Sequence, residues 1–193
     1  ISVTECEPSE AIEVVRALGL GADAAKKKAA DRGLDVHGAL EAYCANGEMP
    51  NVADLAVDAR PYLPGLAKWL LKYDPTPIHA ERIVCHPELA YCGRYDLLCE
   101  IGGLSALIDL KTSKTGQPYA EAHWQMRGYA DAEVFVGEPE PAQVAVVGVS
   151  PDGVFCHEPC LAAPGSFEAI VKVYRMRAAM DRDLRAMRKA VEA

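Results

Sequence analysis

The sequence predicts a mixed α/β domain in which a central β-sheet is flanked by helices, with a helical N-terminal region. Three observations predict it. Alanine-rich and helix-periodic stretches fill the first third of the chain. The middle carries apolar, alternating runs bounded by Pro and Gly. The order of elements is helices, three strands, a helix, two strands and a final helix, which is not a repeated βαβ array.

Each element has a local reason. "PSEAIEVVRALG" reads as a helix with Ser9 as N-cap and Gly19 as stop. "GADAAKKKAADRGLDVHGALEAYCANG" is a second helix, rich in alanine and ended by Asn46-Gly47. "VADLAVDA" and "YLPGLAKWLLKY" are shorter helices, the latter with Pro64 in its first turn. Asp74-Pro75-Thr76-Pro77 breaks helix. "IHAERIVCH", between Pro77 and Pro87, alternates as a strand. "YCGRYDLLCEI" and "LSALIDLK" follow as strands joined by Gly102-Gly103. A polar loop from Thr112 to Pro118 leads into the helix "YAEAHWQMRGYADAEVF". "AQVAVVGVS" and "GVFCHEP" form a second strand pair about Pro151-Asp152-Gly153, and "SFEAIVKVYRMRAAMDRDLRAMRKAVEA" is a long helix capped by Ser166. We expect one domain over residues 1–193, with a helical part (1–74) packed on an α/β core (75–193). A separate boundary near Asp74 is the alternative.

Bulk properties narrow the class. The 193 residues are 50% hydrophobic and 25% charged, enough for a substantial core. No fixed-period repeat, low-complexity tract, signal-like N-terminus or long apolar span is visible. The net charge of −8 argues against a surface coated in basic patches for nonspecific nucleic-acid binding, without excluding nucleic acid. Lys26 to Lys28 and the cluster Arg175, Arg177, Arg182, Arg185, Arg188 and Lys189 read as solvated helix faces. Seven cysteines suit reduced thiols in a cytoplasmic setting, with Cys85, Cys92 and Cys99 as small core residues. The chain begins without methionine, which leaves room for a longer native chain.

The chemistry centres on two aspartates inside apolar strands. A Gly-Gly turn fixes the strand register, since both central residues of such a turn need positive φ. Counting outward pairs Ile101 with Leu104 and Leu97 with Ile108, and the next pair is Asp96 with Asp109. Directly opposed acids stand roughly 5 Å apart and repel. Lys111 shares the face of Asp109, while Leu110 points away. The compensating charge is either Lys111 or a divalent cation; hard oxygen ligands suit Mg²⁺ or Mn²⁺. A surface hairpin with one acid paired to Lys111 or Arg94 remains the alternative at this point. His37 shares a helix face with Leu34, Leu40 and Glu41, and Gly38 beside it would admit close approach to the sheet. Trp124 reads as core, and His79, His86, His123 and His157 as surface or packing residues without a named partner.

The spacing of Asp96 and Asp109-Leu110-Lys111 resembles the core motif of the PD-(D/E)XK nuclease superfamily. "DRGLDVHGALEAY", "HAERIVCHPELAYCGRYD" and "HWQMRGYA" resemble the N-terminal helix, first strand and post-lysine helix of its RecB-type exonuclease branch. The likeness runs roughly from Asp31 to Tyr129. It implies a restriction-endonuclease-like core and a Mg²⁺- or Mn²⁺-dependent deoxyribonuclease, an exonuclease acting in recombination or repair, of the stand-alone type found in phage systems and so working in a bacterial host cytoplasm. A structure-specific or restriction-like endonuclease and a catalytically weak nucleic-acid-binding recombination module are the alternatives. The resemblance implies His37, Asp96, Asp109 and the Leu110 carbonyl as metal ligands. Lys111 would position the nucleophilic water, Glu81 would support the site or bind through water, and Gln125 and Tyr129 would brace the site or a DNA strand. Thr112, Ser113, Lys114 and Arg127 are the candidate substrate contacts. DNA, as a single strand or a duplex end, is the implied partner, with a recombination or single-strand-binding protein beside it. Cys6, Cys156 and Cys160 do not complete the four-cysteine spacing of relatives with an iron–sulfur cluster, so none is expected.

Overall fold

The computed structural model describes residues 22–135 and 140–191. The expected helix at Ser9–Gly19 and Cys6 lie outside them. Four α-helices and five strands follow one another along the described chain: α1 (Ala22–Asn46), α2 (Leu63–Tyr73), β1 (Thr76–His86), β2 (Tyr91–Ile101), β3 (Leu104–Thr112), α3 (Ala120–Phe135), β4 (Gln143–Val149), β5 (Phe155–Pro159) and α4 (Ser166–Val191). The strands form one mixed sheet in the order β1-β2-β3-β4-β5. Only the β3–β4 pair is parallel, and α3 supplies the crossover that a parallel pair needs.

Helices cover both faces. On one, Val36, Ala39 and Leu40 of α1 and Leu66, Trp69 and Leu70 of α2 pack on Leu97, Ile108, Leu110 and Val147. On the other, Met126, Tyr129 and Ala130 of α3 pack on Tyr95, Leu98, Leu107 and Val146. No described helix is long and apolar enough to cross a membrane.

The local signals mostly act as anticipated. The Gly47 N–H bonds the Tyr43 carbonyl at 2.7 Å and ends α1. Pro64 sits in the first turn of α2, and Asp74, at φ 43°, ends it. Gly102 and Gly103 adopt φ of 60° and 81°, and the β2–β3 register runs from Ile101↔Leu104 to Leu97↔Ile108.

Several readings need correction. "VADLAVDA" forms only a short 3-10 turn at Val52–Asp54, capped by the Asn51 side chain. Ser166 opens α4, but its buried hydroxyl has no hydrogen-bond partner, so it does not cap the helix. Cys85 and Cys92 are exposed rather than core; they oppose each other across the β1–β2 ladder and form a disulfide. Trp124 is 43% exposed because it faces outward from α3. Leu34 is exposed too, so the buried face of α1 runs through Val36, Ala39 and Leu40. A Cβ at Gly38 would meet nothing within 4 Å, so no close approach to the sheet depends on that glycine. The histidines read as lacking a partner have them: His157 Nδ1 accepts the Trp69 indole N–H at 3.0 Å, His86 Nδ1 accepts the Leu89 N–H at 3.2 Å, and His123 Nε2 lies 3.5 Å from Glu158.

Candidate metal centre

The ladders on both sides of β2 break off at the level of Asp96, and the acids gather there. Pairing of β2 with β3 stops at Leu97↔Ile108, one step short of the two aspartates. On the other side of β2, β1 pairs through Ala80↔Leu97 and Arg82↔Tyr95 but skips Glu81 opposite Asp96. Glu81 has φ 52°, a left-handed conformation that costs a non-glycine residue about 1 kcal/mol or more. The alternation of β2 also slips here. Leu97 and Cys99 face the α1/α2 side, yet Tyr95 joins Leu98 on the α3 side. The break turns the Asp96 carboxylate toward the backbone of β3, where Oδ2 accepts the Leu110 N–H at 2.6 Å. The acid therefore takes the place of a ladder partner, which corrects the expectation of directly paired aspartates.

Three elements then converge. His37 Nδ1 from α1 lies 3.0 Å from Asp96 Oδ1. Ligand atoms of His37, Glu81 and Asp96 all lie within 4.8 Å of one another. Glu81 is also held by Arg94 Nε at 2.8 Å. Beside the cluster, Lys111 Nζ stands 2.6 Å from Asp109 Oδ2. That oxygen is enclosed by protein, with Lys111 as its close cationic neighbour. Gln125 Nε2 donates to the Tyr129 hydroxyl across one turn of α3. Gly93 makes room for that tyrosine, since a Cβ there would lie 2.3 Å from Tyr129 Cε1.

The electrostatics show an excess of acid. Burial and the neighbouring Asp96 push the Asp109 carboxyl up to about 6, against the pull of Lys111. Burial and Asp96 likewise raise Glu81, with Arg94 opposing. Burial disfavours a charged His37, but its hydrogen bond to Asp96 and that carboxylate's charge outweigh it, so its pKa lies above the ordinary value. Tyr129 is raised by burial and by the two aspartates, with its bond to Gln125 opposing. Three carboxylates thus face Lys111, a mostly exposed Arg94 and a His37 whose charged form Asp96 favours.

These groups fit a hard divalent cation. One imidazole nitrogen and carboxylate oxygens are donors for Mg²⁺ or Mn²⁺, the nitrogen favouring Mn²⁺. Adjacent ligands of an octahedral ion at about 2.1 Å stand roughly 3 Å apart and opposite ones roughly 4.2 Å; His37 Nδ1 and Asp96 Oδ1 are 3.0 Å apart, and all three ligand atoms lie within 4.8 Å of one another. The geometry brings Glu81 into the ligand cluster more directly than a supporting role would, and it leaves Asp109 at the edge, held by Lys111.

The candidate substrate contacts divide. Lys114 is exposed on the loop beyond β3. Ser113 is buried and its hydroxyl donates to the Gln117 carbonyl at 3.2 Å, so it shapes the turn. Thr112 Oγ1 would lie 3.7 Å from a Cβ at Gly33, which places it against α1. Arg127 is buried and bound to Asp131 at 2.7 Å and Glu140 at 3.1 Å, so it is not brought to the cluster. Sequence reasoning missed the Glu81–Arg94 pair and the room Gly93 leaves for Tyr129. Gly93, a glycine three residues before Asp96 in an apolar strand, was the available signal.

Comparison with protein families finds none that matches the chain. No curated protein matches it either. Among solved structures, one titled "Crystal structure of SSO0001" is similar over 79% of this chain and 74% of that chain, at 18% identity and a TM-score of 0.40. That degree of likeness bears on neither activity nor substrate.

Proposed function

We propose that this chain is a metal-dependent deoxyribonuclease with a restriction-endonuclease-like core, hydrolysing phosphodiester bonds from DNA ends. The observation that carries the reading is the convergence of His37, Glu81 and Asp96 from α1, β1 and β2 beside a Lys111–Asp109 pair on β3. A purely structural role offers no reason to gather three acids at a break in the sheet, where each raises the cost of the next.

In this reading His37, Glu81 and Asp96 hold Mg²⁺ or Mn²⁺, with Asp109 completing the set. The bound ion supplies Lewis-acid polarisation of the scissile phosphate and a more acidic water. Lys111 Nζ holds the attacking water by hydrogen bond and offsets the charge that grows on the phosphate oxygens. Asp109 holds Lys111 in place. Asp96, pinned by the Leu110 N–H and by His37, presents its oxygens in one orientation. Gln125 and Tyr129 brace the α3 side.

The test incubates end-labelled linear, closed circular and single-stranded DNA with Mn²⁺ or Mg²⁺, beside the Asp109→Ala variant. Metal-dependent loss of linear substrate, absent in the variant, is expected. Cleavage of the circle would replace the exonuclease reading by an endonuclease one. No cleavage of any substrate would remove both.

A further inference from the structure

Among the described residues of α4 none is buried. Its inward face carries Phe167, which packs edge-on against Tyr91, and Arg175, whose guanidinium reaches the Leu89 and Ala90 carbonyls. Val171 and Ala178 share that face by helical spacing and are partly covered. The opposite face is apolar and bare. Val173 is 65% exposed, Met176 66%, Met180 63%, Leu184 46% and Met187 66%. At 100° per residue the five fall within an arc of about 80°. Residues 180–189 are exposed on every side. A free helix end of that length is marginal in water without a partner on its apolar stripe.

The stripe has an internal symmetry. Its members stand four and seven residues to either side of Met180: Met176 and Leu184, then Val173 and Met187. A spacing that reads the same in both directions is what an isologous two-fold contact requires, since residue i must meet j while j meets i. The geometry points to an antiparallel pairing of α4 with α4 of a second copy of this chain, with Met180 on the two-fold axis. Met176 then packs on the partner's Leu184, and Val173 on the partner's Met187.

Charge and area agree with this occupant. Arg177 and Asp181 lie on one flank of the stripe. In the antiparallel pair, each arginine stands within about 3 Å of axial rise of the other copy's aspartate, giving the order Arg–Asp–Asp–Arg along that flank. Each of the five side chains leaves on the order of 100 Å² exposed, so mutual burial comes to about 1,000 Å² in total, the lower bound of a specific interface.

The experiment is sedimentation equilibrium of the full 193-residue chain, with and without DNA, joined to cysteine cross-linking by a short bis-maleimide. Twice the monomer mass at tens of micromolar is expected, with Met180→Glu returning the chain to monomer while its circular dichroism is unchanged. Met180→Cys should cross-link to itself above the wild-type background. Val173→Cys should cross-link only when mixed with Met187→Cys. A monomer up to about 100 µM overturns the inference, as does a dimer that survives Met180→Glu. Self-linking of Val173→Cys overturns the antiparallel arrangement. Association that occurs only when DNA is added assigns the face to nucleic acid instead.

Discussion

Replacing Gly93 by alanine tests how tightly α3 is seated on the sheet. The added Cβ would lie 2.3 Å from Tyr129 Cε1 and 3.0 Å from Cδ1. Ordinary carbon contact begins near 3.5 Å, so the ring must retreat by about 1.2 Å. The ring cannot do so freely, because Tyr129 is 9% exposed and its hydroxyl is bound by Gln125. Overpacking of this kind costs about 1–3 kcal/mol, and losing the Gln125 bond adds about 1 kcal/mol. We expect Gly93→Ala to lower the unfolding free energy by about 2–3 kcal/mol in urea titrations. In a Tyr129→Ala background the clash is gone, and the same substitution should be neutral or gain about 0.5 kcal/mol by restricting the unfolded chain. A double-mutant cycle therefore gives a coupling energy of about 2 kcal/mol or more. A cost below about 0.5 kcal/mol in the wild type, or an equal cost in both backgrounds, would refute the packing argument.

Further expectations follow from other parts of the molecule. Saturating Mn²⁺ should raise the melting temperature, adding about 2.7 kcal/mol at a hundred times the dissociation constant; EDTA should reverse it, and His37→Ala should weaken the ion's affinity at least about tenfold in calorimetry. Burial and nearby Lys72 lower the His157 pKa, and its Nδ1 accepts the Trp69 indole proton. A histidine depressed in the fold contributes stability that is whole above its unfolded value of 6.5 and declines as pH falls below it toward the folded pKa. Between pH 7.5 and 5 the urea midpoint of the wild type should thus fall relative to that of His157→Gln; an unchanged difference between the two would count against the assignment. The Cys85–Cys92 bridge spans a sequence separation of 7. Reducing it should cost about 2 kcal/mol by the loop-entropy relation, seen as a lower urea midpoint in dithiothreitol and in Cys85→Ser.

Much of the scaffold was legible because it rests on local chemistry. Gly102-Gly103 dictates a two-residue turn, and the turn dictates register out to Leu97 and Ile108. The count failed one step later for a reason no local signal carries. Glu81 adopts a left-handed backbone, and the side chain of Asp96 replaces a ladder bond to Leu110. Both depend on contacts between elements distant in sequence. The cysteines failed differently. Cys85 and Cys92 flank the Pro87–Ala90 turn symmetrically, but apolar flanks made them look like core. Trp124 was misplaced because a tryptophan on a helix suggests burial by size, whereas the face that docks runs through Ala122, Met126 and Tyr129. The candidate site was readable as a set of residue types. Its grouping, with Glu81 inside the cluster and Arg127 outside it, was not, because it depends on how the strand bends.

The bond from Leu110 to Asp96 also sets how any dissection of this molecule must be interpreted. Asp96 answers to two masters: one oxygen faces His37, the other closes the backbone of β3. An alanine at that position removes a proposed ligand and at the same time strands a buried amide, at a cost of about 1–3 kcal/mol. An inactive Asp96→Ala protein would confound chemistry with folding. Asp96→Asn can keep an acceptor on the amide while removing the charge. Comparing the two substitutions separates what the carboxylate does for the reaction from what it does for the sheet.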